Sequence, residues 1–143
     1  MRRIPWLMAG LLVGGLALAA EAGKDLDKLQ GTWVRVSVVR DGKEVPADQF
    51  KNSKLTIQGD KYTLDEGKDK RSGTFKVDAS KTPHTLDIIS DAGPNKGKTL
   101  KGIYKIEGDT FTYCVAGPGK DRPTEFSSKE GSGHTLLVNK REK

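Results

Sequence analysis

Two ten-residue stretches carry the clearest alternation of apolar and polar residues in the chain. The first is Leu55-Thr56-Ile57-Gln58-Gly59-Asp60-Lys61-Tyr62-Thr63-Leu64. The second, Tyr104-Lys105-Ile106-Glu107-Gly108-Asp109-Thr110-Phe111-Thr112-Tyr113, repeats it position for position. Each reads as a hairpin with Gly-Asp as its two-residue loop, because glycine supplies the positive φ of a tight turn. That loop sets the register. Ile57 faces Tyr62 and Leu55 faces Leu64; Ile106 faces Phe111 and Tyr104 faces Tyr113. All eight share one face, while Thr, Lys, Gln and Glu occupy the other. Such a strand pair buries one side and wets the other, and a one-residue slip would invert every side chain.

The rest of the chain fits around these units. Residues 24–30 form a short helical lead-in, with Leu26 and Leu29 three apart. Thr32 to Arg40 is a β-branched strand ending at the Asp41-Gly42 turn. Lys43 to Pro46 makes a brief strand, and Ala47 to Asn52 a helical turn capped by Asp48. Strands follow at Gly73 to Asp78, with Phe75 and Val77 inward, and at Thr85 to Ser90, with Leu86 and Ile88 inward. Thr99 starts the strand leading into the second hairpin, and His134 to Arg141 closes the chain. The pattern predicts an all-β antiparallel meander of about eight strands, as an up-and-down barrel or a sandwich. Residues 116–133 are too many for an ordinary hairpin loop and form either a lid or a packed Ω-loop. In the first strand, alternation puts Val34, Val36 and Val38 on one face and Trp33 on the other. Either a bulge switches faces or both faces are covered.

The first residues have a different character. Met1-Arg2-Arg3 is basic, Ile4 to Ala20 is almost wholly apolar, and small-x-small sites follow at Ala17–Ala19 and Ala20–Ala22. This is the composition of a secretory signal peptide, residues 1–22, with cleavage after Ala19 or Ala22. The run is short for a membrane anchor and carries Gly10, Gly14 and Gly15. Residues 23–143 are then one exported domain, periplasmic or extracellular, with no stable membrane insertion. Cys114 is the single cysteine, which excludes an internal disulfide and fits a small buried side chain. The register puts it opposite Ile103 on the outer face, where neighbouring chain must cover both.

Charge narrows the partners. The chain carries 25 Lys and Arg against 19 Asp and Glu. The positives are spread among acids, without a dense basic block or interleaved aromatics, so a nucleic-acid surface is not expected. His84 and His134 are far apart and lack the converging donors a metal site needs. Ser127 and Ser128 lack nucleophile-elbow spacing and a paired base. Gly117-Pro118-Gly119-Lys120 lacks the length and the following Ser or Thr of a phosphate loop. The reading is therefore of a protein without enzymatic activity, metal or cofactor.

Gly31-x-Trp33 after the short helical lead-in, within Leu29-Gln30-Gly31-Thr32-Trp33, resembles the opening motif of the lipocalin and fatty-acid-binding-protein (calycin) superfamily. The resemblance implies a lipocalin-like up-and-down barrel, with Trp33 at its closed end beside a basic residue of the last strand, Lys140 or Arg141. Asp41-Gly42-Lys43-x-Val45-Pro46, Gly93-Pro94-x-Lys96-Gly97-Lys98, Gly102-Ile103-Tyr104, Pro118-Gly119-x-x-Arg122-Pro123-x-x-Phe126 and Gly131-Ser132-Gly133-His134 extend it. As a set they are similar to an uncharacterised lipocalin-like domain family expanded in planctomycete bacteria, often exported and without an established activity. An eight-stranded barrel either fills itself or holds one small ligand. The inward aromatics Tyr62, Phe75, Tyr104, Phe111 and Tyr113 are large enough to fill it. If a pocket remains, Trp33 is its floor, Tyr62, Tyr104 and Tyr113 supply polar handles, and Arg141 is a candidate anion anchor. The expected partner is a small, partly apolar ligand. The alternative is an envelope protein captured by the 116–133 loop of a filled barrel.

Overall fold

The structure, a computed structural model, describes residues 25–67, 69–93 and 95–142. The segment read as a signal peptide lies outside the described residues. Residues 25–29 are helical. The strands are β1 (Gly31–Arg40), β2 (Lys43–Glu44), β3 (Lys54–Gln58), β4 (Lys61–Asp65), β5 (Lys70–Asp78), β6 (His84–Ser90), β7 (Thr99–Glu107), β8 (Thr110–Ala116) and β9 (His134–Arg141). Each of β3 to β8 pairs with the next strand, β1 pairs with β3, and a β1–β9 pairing closes the ring. The result is an eight-stranded antiparallel lipocalin-like barrel, with β2 as a short flap beside the end of β1. Both hairpins take the register that alternation dictates, Leu55↔Leu64 and Ile57↔Tyr62 in one, Tyr104↔Tyr113 and Ile106↔Phe111 in the other. The turn after β2 is a 3-10 helix at Ala47–Gln49, and Pro46, without any side-chain cap, takes the place expected of Asp48.

A bulge resolves the two faces of β1. Arg35 pairs with Asn139 but Ser37 pairs with Val138, leaving Val36 unopposed. An extra residue advances the side-chain phase by one. Trp33 and Arg35 therefore point inward before the bulge, and Val38 and Arg40 after it. Trp33 is wholly buried, whereas Val36 is 44% exposed.

The closed end is built around that indole. Trp33 Nε1 donates to the Leu29 carbonyl at 2.8 Å, tying the lead-in helix to the barrel floor. The Arg141 guanidinium, not Lys140, lies over the indole at 4.3 Å. It also donates to the carbonyls of Gln30 and Lys28. Gln30 in turn brackets the β3–β4 turn, accepting from Gly59 N–H at 2.7 Å and donating to its carbonyl at 2.9 Å. From Trp33 the aromatic core climbs through Phe111 (5.6 Å between centroids) and Tyr113 (5.0 Å further) to Phe75 and Tyr62.

The 116–133 segment is a packed loop. Arg122 donates to the carbonyls of Leu86 (3.2 Å) and Gly102 (2.8 Å) and pairs with Asp87 at 2.8 Å. Pro123 is buried, and Lys105 lies over the Phe126 ring at 4.9 Å. Ile103 and Cys114 are paired and wholly covered, with Cys114 Sγ 3.4 Å from the Ser127 carbonyl oxygen. Burial pushes the Cys114 thiol up, away from the nucleophilic thiolate. Native protein should accordingly react with a thiol reagent far more slowly than denatured protein. Equal rates, followed as reagent absorbance, would mean the loop does not cover this wall.

Candidate functional site

The barrel ends differ in content. Toward Trp33 the interior is filled by Leu29, Ile57, Leu86, Tyr104 and Phe111, all at most 1% exposed. At the opposite end, where β1, β6 and β8 finish and β5, β7 and β9 start, a cavity of about 290 Å³ remains. Its wall is apolar where the strands supply Leu55, Leu64, Phe75, Ile88, Leu100, Val115 and Leu137. Asn95, Gly117, Pro118 and Gly133 from the loops complete its mouth. Arg40 and Arg71 also line it and are exposed, so the cavity reaches solvent there.

Polar groups enter the apolar wall at a few places. Tyr62 and Ser90 hydroxyls lie 3.3 Å apart. Arg35, inward because the bulge follows it, donates from Nη2 to the Tyr113 hydroxyl at 2.7 Å and from Nε to Asn139 Oδ1 at 3.3 Å. Asn139 is wholly buried, and its amide donates to the Phe111 carbonyl at 3.1 Å, which fixes which side faces Arg35. Burial pushes the Tyr113 phenol up, with Arg35 pulling more weakly the other way. The hydroxyl is thus neutral at physiological pH.

No family model matches the chain, and no curated protein matches it. What can be read of this site rests on its own residues.

Of the five residues singled out in the sequence, Tyr62 and Tyr113 line the cavity. Trp33, Tyr104 and Arg141 lie toward the closed end and do not, although Tyr104 lines a separate cleft of about 270 Å³ there with Asp25, Lys28, His84 and Phe126. Trp33 has no open space above it, because Phe111 and the residues over it fill the barrel. The Tyr104 hydroxyl turns away to donate to Asp25 at 2.6 Å, and Asp25 also lies 2.9 Å from His84 Nδ1. Burial and the Asp25 carboxylate drive the Tyr104 phenol well above its usual range. This cluster anchors the lead-in helix to β6 and β7. Arg141 spends its guanidinium on the helix carbonyls and the indole, and its Nε lies 3.7 Å from Asp109.

Arg35, Arg40 and Arg71 went unnoticed in the sequence as site residues. One signal was available: Arg35 alternates with Trp33, so whatever turns the indole inward also turns Arg35 inward. His84 and His134 stand at the starts of β6 and β9, apart from one another.

Proposed function

We propose that the chain is an exported, non-catalytic domain that binds one small, partly apolar ligand in the cavity at the barrel's open end. It would belong with the lipocalin-like, planctomycete-expanded family its motifs resemble. The observation that carries the binding reading is the division of the interior. A self-filling barrel has no reason to leave about 290 Å³ open among the apolar strand residues of one end while Trp33, Leu29, Ile57 and Phe111 are wholly buried toward the other. Ligand pockets start at roughly 300 Å³ and combine an apolar wall with a few placed polar groups. Leu55, Ile88, Leu100 and Leu137 supply such a wall, and Tyr62, Ser90 and Tyr113 supply such groups.

The test is displacement of an environment-sensitive fluorescent probe, with native mass spectrometry of the purified protein beside it. Leu100→Trp would occupy the cavity from a half-buried position. Probe binding is expected in the wild type and should fall at least about tenfold in L100W, the cost of roughly 1.4 kcal/mol of lost contact. Undiminished binding in a folded L100W protein would remove the cavity from the reading.

A further inference from the structure

We infer that the cleft beside the lead-in helix, at the closed end, binds a free α-amino acid with an apolar side chain. Asp25 would take its ammonium and Lys28 its carboxylate. The site is separate from the open-end cavity, and neither depends on the other.

The cleft has a volume of about 270 Å³ and lies where the lead-in helix meets the start of β6 and the end of β7. Asp25 and Lys28 enter it from the helix, and Phe126 borders it from the long loop. Asp25 and Lys28 are three positions apart, so they share one face of the helix, with Cβ atoms roughly 5–6 Å apart. An acid followed by a lysine at that spacing can form an ion pair. Here it does not: among the described residues Lys28 joins no ion pair. The barrel is the reason. The Tyr104 hydroxyl and His84 Nδ1 both meet Asp25 Oδ2, at 2.6 and 2.9 Å, and hold the carboxylate against the strands. Opposite charges thus line one cleft from one helical turn without meeting.

The carboxylate is also only half used. It offers about four acceptor positions over two oxygens. Both donors fall on Oδ2, and among the described residues Oδ1 receives none. The Asp25 side chain is 13% exposed and lines the cleft, so a ligand's N–H donors can reach it. In so buried a place a charge-assisted bond is stronger than at an open surface. Lys28 is long and exposed, and can reach the other end of the same ligand. The remaining charges that line the cleft are already engaged. Lys105 lies over Phe126 at 4.9 Å and has Glu107 at 3.6 Å, and His84 is turned to Asp25.

An ammonium and a carboxylate on one carbon match this pair, whereas a lone anion would face Asp25 and a lone cation Lys28. The rest of the wall sets the side chain. Pro83, Ile106 and Phe126 are half-buried and apolar. At roughly 30 Å³ for each water-sized group, the cleft holds about nine. Free leucine is of that size and is the matching probe.

Isothermal titration compares leucine with isocaproate, which lacks the ammonium, and isoamylamine, which lacks the carboxylate. Leucine should bind at least about tenfold more tightly than either. Lys28→Gln should weaken leucine about tenfold and leave isoamylamine nearly unchanged. Asp25→Asn should weaken leucine by a similar factor and leave isocaproate nearly unchanged. If D25N loosens the helix, K28Q still decides, because Lys28 is exposed. Leucine should bind L100W as it binds wild type, since Leu100 lines the other cavity. Either fragment binding as tightly as leucine, or K28Q binding leucine unchanged, would overturn the inference. Loss of leucine binding in L100W would also overturn it, by placing leucine in the open-end cavity. No leucine binding to the wild type would overturn it too, and would leave the reading of the open end untouched.

Discussion

Trp33→Ala is expected to lower the unfolding free energy by about 3–5 kcal/mol, the range for deleting a fully buried aromatic side chain. For a domain of this size that is a large share of the total stability. Three losses combine. The indole is wholly buried between Phe111 and the lead-in helix, so its removal opens a void that the strands cannot collapse to fill. Its N–H leaves the Leu29 carbonyl without a donor inside the floor. The Arg141 guanidinium loses the ring it lies over at 4.3 Å, although it keeps its helix carbonyls. Trp33→Phe separates these terms: it retains most of the apolar area and should cost about 1–3 kcal/mol, chiefly the unpaired carbonyl. Val36→Ala on the same strand, at the exposed bulge, should stay within about 0.5 kcal/mol. Urea denaturation of the four proteins measures all of this. A W33A loss no greater than that of V36A would mean that the indole does not hold the closed end together.

The hairpins were legible because a period of two and a Gly-Asp loop leave one register that buries Leu55, Ile57, Tyr62 and Leu64 together. Cys114 opposite Ile103 followed from the same arithmetic. The bulge was legible only as a contradiction, since Val36 carries no mark distinguishing it from Val34 or Val38. Its location depends on how β9 lies alongside β1, a relation between residues about a hundred apart. Separation along the chain also hid Asp25, 59 residues from His84 and 79 from Tyr104. Arginines are the hardest to read. In sequence Arg35, Arg40 and Arg71 look like the other solvated charges, and Arg141 looked more suited to an anion. Backbone carbonyls at the end of the lead-in helix claim Arg141 instead, as cations near a helix C-terminus are favoured. The long loop could be recognised by length, but that it packs depends on Arg122 finding the carbonyls of Leu86 and Gly102 on the outer wall.

Gly73 connects the packing of the barrel to its cavity, and Gly73→Ala should disturb both. The residue sits inside β5, opposite Tyr62 on one side and Ser90 on the other. A strand glycine often marks a close approach of neighbouring groups. Here a methyl would overlap the Ile89 carbonyl oxygen and lie 2.7 Å from Tyr62 Cε2 and 2.9 Å from its hydroxyl. The carbonyl belongs to the backbone and cannot swing aside, so β6 must shift; the expected cost is about 3 kcal/mol, the upper part of the usual range for overpacking. Tyr62 must also move. Its ring stacks on Phe75 at 4.7 Å and its hydroxyl meets Ser90, both cavity-lining residues, so displacement carries the ring toward the space a ligand would take. G73A should therefore melt earlier and also bind the fluorescent probe more weakly than wild type at a temperature where both are folded. Gly59→Ala is the contrasting case: its added methyl meets nothing, and only the positive φ of 62° opposes it, at about 1 kcal/mol with no effect on the cavity. If G73A matched wild type in both melting and probe binding, the close approach of Tyr62 to β5 and β6 would have to be abandoned, and with it the shape of the cavity wall.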